Sequence, residues 1–217
     1  MKLSFSGRFA KAFFMSLEKA HSLLTPYVPS LALPYCVELW YYYQFQFRLS
    51  KKRSSKLGDY RFDPKTKQHL ISVNSDLNPY NFLITYIHEV AHCANMNEHG
   101  KKAIAHGKEW KTIFRKLLSP LLNEDVFPAD VLKVLSHHMK NPKASSQADQ
   151  RLVLVLRKYD KLQSGKMLFE LALGDFFKLN NRVFKKVKSR RSRIVCEEVK
   201  TGRNFLITAV APVEVVS

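Results

Sequence analysis

Apolar residues recur at helical spacing in three places along the chain and at strand spacing in several others. Leu83, Ile87, Val90, Ala91 and Ala94 line one side of a helix. Asn78 is a good N-cap, Pro79 suits the first helical position and Gly100 is a natural stop, so the pattern predicts a helix from about Pro79 to Glu98. Trp110, Ile113, Phe114, Leu117 and Leu118 predict a second helix. Phe9, Phe13, Phe14, Leu17 and Leu24 predict an earlier one, ended by Pro26, that packs on the first. Gln44 to Leu49 alternates polar with apolar, as a half-buried strand does. Tyr60 to Phe62 and His69 to Val73 look like two more strands, with Asp63-Pro64-Lys65-Thr66 as the turn between them. The aromatic run Trp40 to Tyr43 leads directly into the first strand and reads as packing rather than as a base-stacking surface.

Past residue 140 the pattern changes. Asn141 to Gln150, with Pro142, Ala144, Ser145 and Ser146, breaks the helical period and reads as a linker. Leu152 to Leu156, Leu168 to Leu173, Ile194 to Val199 and Asn204 to Val210 read as strands, the last two joined by Lys200-Thr201-Gly202-Arg203. The expectation is an α+β chain in three parts. A domain over residues 1–140 sets a small three-stranded sheet beside two or three helices, a linker spans 141–150, and a small β-rich region fills 151–217. A length of 217 residues and a hydrophobic content of 46% suit one domain with a core plus an appendage.

Charge adds a partner to this outline. Lys and Arg total 36 against 18 acidic residues, a net +18 that favours a polyanion such as nucleic acid. Residues 151–217 hold half of that excess in under a third of the chain. Arg182, Lys185, Lys186, Lys188, Arg190, Arg191 and Arg193 crowd one stretch, interleaved with Val183, Phe184, Val187 and Ile194. Such a segment fits a phosphate-tracking strand or hairpin without strong sequence preference; the competing reading is a solvated edge strand carrying lysines against edge-to-edge pairing. The three cysteines, Cys36, Cys93 and Cys196, form no pair at metal spacing, and free thiols suit a reducing cytosol. No stretch is long enough to span a bilayer, and Arg8 and Lys11 interrupt the N-terminal apolar run, so the chain is expected to be cytoplasmic with no membrane partner.

The candidate chemistry lies on the central helix. In His88-Glu89-Val90-Ala91-His92, two histidines four apart differ by about 40° around a helix axis, so both imidazoles can grip one ion. Glu89 lies about 100° from His88, and the apolar stripe occupies the opposite flank, so the ligands border the core. Two histidines and a glutamate can also fall at this spacing by accident. A catalytic zinc takes three protein ligands and leaves a fourth position to water, from which Glu89 would take a proton. For the third ligand, His99 follows His92 by seven residues, and Asn95 stands where the H-E-x-x-H-x-x-G-x-x-H arrangement has its glycine, which disfavours that class. His106, just ahead of the second helix, is preferred, since a loop over Gly100 to Ala105 could return it to the metal; Glu98, His99 and Glu109 remain alternatives. His137 and His138 have no partner at ligand spacing and read as surface residues.

A helix carrying H-E-x-x-H, then a loop, then histidine-glycine and an aromatic at the start of the next helix resembles the SprT-like zinc metallopeptidases. The matching residues are His88, Glu89, His92, His106, Gly107 and Trp110, with Phe82-Leu83-Ile84 before them, and the likeness covers roughly residues 5 to 120. It implies a zincin-like catalytic domain holding one Zn2+ on His88, His92 and His106, with Glu89 as the base that hydrolyses peptide bonds through the metal's water. It also implies protein substrates at or near DNA. The chain departs from the family in lacking the paired cysteines of its C-terminal zinc ribbon, so apolar packing must replace that ion. A reading of another class competes: a nucleic-acid-binding protein whose zinc site is structural or vestigial.

Overall fold

Asn78 and Gly100 bracket the central helix, Pro79–His99, in the computed structural model, which describes residues 18–53, 56–102, 104–143, 148–161 and 165–216. The chain divides into two units, residues 1–146 and 147–217. That division falls inside the segment read as a linker, whose last residue, Gln150, already opens a helix. The whole is α+β, with two sheets. No helix among the described residues is long and apolar enough to cross a membrane.

The first unit runs α1 (described over residues 18–24), α2 (Leu33–Tyr43), β1 (Gln46–Ser50), β2 (Gly58–Asp63), β3 (Gln68–Asn74), α3 (Pro79–His99), α4 (Lys108–Leu118) and α5 (Ala129–Met139). Phe9, Phe13, Phe14 and Leu17, expected on the first helix, lie outside the described residues. The aromatic run Trp40 to Tyr43 is the last turn of α2 and not a lead-in to the strand. Gln44, at φ 50, turns the chain back, so that Trp40 packs on Phe45 and Phe47 at 5.9 and 5.2 Å between ring centroids.

The sheet order is β1-β3-β2, with β1 parallel and β2 antiparallel to the central β3. One face lies against α3, where Phe47 of β1 meets Phe82 and Tyr86 edge-on. The Tyr86 hydroxyl donates to the Cys36 carbonyl at 2.8 Å and ties α3 to α2. The N-cap on α3 is the expected one, Asn78 Oδ1 accepting from the Asn81 amide at 3.0 Å. Twelve of its 21 residues are buried, so the helix is held on most of its circumference. At about 1.5–3 kcal/mol for each large apolar side chain removed from water, this packing fixes whatever α3 carries.

The second unit runs α6 (Gln150–Arg157), β4 (Lys166–Met167), β5 (Phe176–Leu179), β6 (Arg182–Ser189), β7 (Arg193–Glu198), β8 (Asn204–Thr208) and β9 (Pro212–Val216). Leu152 to Leu156, expected as a strand, belongs to α6, which buries Leu152, Val155 and Leu156 at spacing i, i+3, i+4. Leu168 to Leu173, also expected as a strand, opens with a 3-10 turn over Leu168–Glu170 whose Glu170 carboxylate accepts from the Met167 amide. The antiparallel order β4-β9-β5-β6-β7-β8 covers a core of Leu168, Phe177, Phe184, Ile194, Cys196 and Val213. Lys186 is buried at its edge, 4% exposed, donating from Nζ to the carbonyls of Leu168, Phe169 and Leu171 at 3.1, 3.2 and 2.6 Å. A charged ammonium tolerates such burial because each of its three protons has an acceptor.

Candidate metal centre

α3 presents His88 and His92 one turn apart, and the chain after Gly100 brings His106 back to them. His106 has φ 61, a left-handed conformation that histidine adopts more readily than most side chains but still at some cost. The next residue is closely approached: a Cβ on Gly107 would stand 3.0 Å from the Ile104 Cβ and 3.2 Å from the Ile104 carbonyl oxygen, so Ile104 would have to give by a few tenths of an ångström. Gly107 then caps α4, its amide bonded to Ile104 O and its carbonyl taking the Lys111 amide, both at 3.0 Å. The histidine-glycine pair is thus a turn that aims one imidazole backwards and starts a helix at the same time.

The three Nε2 atoms converge, with His88 to His92 and His88 to His106 both 3.2 Å and His92 to His106 3.0 Å. Neutral imidazole lone pairs at that separation repel unless a cation or a shared proton lies among them. Tetrahedral zinc at about 2.0–2.1 Å from each nitrogen sets them about 3.3 Å apart, so the donor set fits such an ion after a small adjustment. Among the described residues His88, His92 and His106 are the group able to hold a metal ion. The alternatives lie elsewhere: His99 pairs with Glu98 at 3.8 Å, and Glu109 is exposed on the first turn of α4.

Trp110, 0% exposed, backs all three rings at 4.6 Å from His88, 5.2 Å from His92 and 4.7 Å from His106, and itself stacks on Phe114 at 5.0 Å. This apolar wall sets the protonation of the site. Burial, then the neighbouring His92, His106 and His138, holds His88 well below the usual imidazole value. Burial and His106 bring His92 down to about 4, and burial followed by Lys111 lowers His106. All three are therefore neutral at neutral pH, the form in which imidazole binds a metal. His138, read from sequence as a surface residue, is 4% exposed and near enough to act on His88; His137 does lie at the surface.

No family model, curated protein or solved structure matches this chain.

Glu89 is 6% exposed, beside the imidazoles and facing β2. Burial and then the charge of Asp59 push its carboxyl up to about 8, against the opposing pull of Arg53 and Lys56. Asp59 is itself held between Lys56 and Arg61 at 2.7 and 2.8 Å, and Arg53 is tied to Asn74 Oδ1 at 2.7 Å. Two residues on β2 that the sequence did not single out shape this flank. A Cβ on Gly58 would run into Glu89 Oε1 and stand 2.7 Å from its Cγ and 2.8 Å from Thr85 Cγ2, so only glycine lets the strand lie this close to the carboxyl. Tyr60, next but one along the same face, lies parallel to the His92 ring at 6.1 Å, and its hydroxyl is 2.8 Å from His69 Nδ1. A lone glycine ahead of a short strand carries no mark of its role, which arises from a helix 31 residues away.

The basic residues expected to track phosphates all lie in unit two, on β6, on β7 and in the turn between them. Lys185, Lys188, Arg190, Arg191 and Arg193 are exposed. Lys186 is not on that surface, being buried against three carbonyls. Arg182 is exposed but engaged, its Nε 2.5 Å from Glu198 and its guanidinium 4.5 Å above the Phe205 ring.

Proposed function

We propose that the first unit is a zinc-dependent endopeptidase with a zincin-like catalytic domain of the SprT-like kind. The observation that carries the reading is the convergence of three neutral imidazole nitrogens next to a buried carboxyl that, among the described residues, no lysine or arginine neutralises by direct contact. Zinc in such a site supplies a Lewis acid that acidifies a water and polarises a carbonyl. A nearby dication would draw the Glu89 carboxyl back down from about 8, so that it is ionised when the ion is present and protonated when it is not. Glu89 then takes a proton from water on one carboxylate oxygen and returns it to the leaving amine. Trp110 and Phe114 keep bulk water from behind the ligands, which strengthens each charge interaction in front of them.

β2 gives the substrate a place to lie. The Asn74 amide donates to Leu57 O, which makes 57 and 74 a hydrogen-bonded pair and turns the peptide groups of Gly58, Tyr60 and Phe62 towards the outer edge of the sheet. An extended peptide paired there would run alongside α3 with little demand on its side chains, which suits a protease acting on diverse proteins near nucleic acid. The competing reading, a structural zinc, calls for a fourth protein ligand, and Glu109 and Glu98 are outside the group of three.

Zinc content and peptide-bond cleavage, compared in wild type and Glu89→Gln, test this. The expected result is equal zinc with cleavage lower by at least about 100-fold, the scale of general acid–base catalysis. Equal cleavage by the two proteins would remove Glu89 from the chemistry, and absence of bound zinc from both would remove the reading.

A further inference from the structure

We propose that the outer face of the β5–β8 sheet, together with the β6–β7 turn, binds single-stranded nucleic acid. A register irregularity adds a lysine to this face. β6 pairs Lys186 with Cys196 but Lys188 with Val195, so Val187 is an extra residue in the strand. In a regular strand Lys188 would follow Lys186 into the core, two positions on. The bulge instead turns Lys188 outward with Lys185, leaving only Lys186 inside.

Register places their neighbours. Lys185 stands opposite Phe176 on one side and Glu197 on the other, Lys188 opposite Val195, which faces Leu206, and Arg193 opposite Thr208. Arg190 and Arg191 add two charges at the turn, which the Arg190 amide closes on Arg193 O at 2.9 Å. Glu197 and Glu214, opposite Lys185 and Lys178, are the acidic neighbours that register gives this face, and Lys178, Lys185, Lys188 and Arg193 with Arg190 and Arg191 at the turn outnumber them, which favours an anionic partner.

The apolar positions on the same face decide which polyanion. Phe176, Leu206 and Val216 are 42%, 47% and 41% exposed, and Lys185 Nζ lies 5.7 Å from the Phe176 ring centroid. A cation beside an exposed aromatic ring offers a phosphate contact and a stacking surface within one nucleotide of each other. A duplex hides its base faces and would use the cations alone. A run of acidic side chains, as in polyglutamate, has no planar apolar group for Phe176. An unstacked strand uses both features.

The test is fluorescence anisotropy of the full chain with a labelled 20-nucleotide single strand, the matching duplex and polyglutamate as competitor. The expected result is at least tenfold tighter binding of the single strand than of the duplex. Its affinity should fall with salt at a log–log slope of about −3, as four or five released counterions give at about 0.7 each. Lys185→Gln/Lys188→Gln/Arg193→Gln should flatten that slope by about 2 at those 0.7 units per contact, whereas Phe176→Ala should weaken binding at least about fivefold with the slope unchanged, the loss of one stacked base. The single variant Lys188→Gln reads the same surface should the triple variant fail to fold. Equal binding of duplex and single strand, competition by polyglutamate as effective per charge as by nucleic acid, or folded variants that bind like wild type would each overturn the proposal. Chelating metal should leave the isotherms unchanged, so a failed peptidase assay and a failed binding assay are separate outcomes.

Discussion

Gly58 sets the tolerance of the candidate centre at the level of single atoms. Adding one methyl group there, Gly58→Ala, puts carbon where the Glu89 carboxylate lies, and in a close-packed interior either the carboxyl or the strand must move. The atoms nearest to that position belong to Glu89 and Thr85 and not to an imidazole. The expected outcome is unchanged zinc content with cleavage lower by at least about tenfold, since a misplacement of about 1 Å can cost up to about 100-fold; a full loss of metal would mean that the strand, not the carboxyl, had shifted. The three histidines were legible in the sequence because helical geometry alone aligns His88 with His92, and a histidine-glycine pair before an amphipathic helix marks the turn of His106. Gly58, Tyr60 and the buried His138 were not legible. Each owes its place to a contact made by a different element, and nothing in its own neighbours along the chain records that contact.

Among elements, those with a long period and explicit ends were read correctly, α3 and α4 above all, and short apolar runs were not. Leu152 to Leu156 is five consecutive apolar residues, a length at which strand and helix look alike, and Asp149 accepting from the Leu152 amide is what starts a helix there. The β6–β8 segment was legible as strands, but the bulge was not, because one extra residue leaves no compositional trace. Its far end is held by Glu198, whose carboxylate takes hydrogen bonds from Arg182 and Thr201 and is thereby brought down to about 2. The unfolded value is about 4.3, so this contribution is complete above that pH and is lost as the carboxyl gains a proton on the way down to about 2. Hydrogen-exchange protection of the amides bonded to the Glu198 carbonyl, Thr201 and Gly202, is expected to fall between pH 5 and pH 2 in wild type. Glu198→Gln, which has no such proton to gain, should show weaker protection that is flat across the range.

At the scale of the molecule, the ligands of the metal site all come from the first unit, and the basic sheet face comes from the second. Ligation and thermal stability should follow the same division. Zinc at 100 times its Kd stabilises the unit that binds it by about 2.7 kcal/mol. Chelation should therefore lower the melting midpoint of the first unit by roughly 5–10 °C, at about 2–4 °C per kcal/mol for a domain of this size. Both tryptophans, Trp40 and Trp110, belong to that unit, so indole fluorescence follows it alone. A midpoint that ignores the chelator would mean the imidazoles hold no ion in solution. Sequence charge pointed to a polyanion for the basic third, yet it counted Lys186 with the surface, because a net charge does not say which ammonium groups point inward.

Trp110 lies in contact range of every candidate ligand, which makes it a built-in optical gauge of occupancy. Cobalt or copper seated among the three imidazoles would sit within a few ångströms of the indole and darken it, whereas Trp40 lies on α2 against Phe45 and Phe47. Titrating apo protein with Co2+ and following emission should give a stoichiometry of one without any added label. The same quenching, lost in His106→Ala, would report on the metal directly, before any substrate has been found.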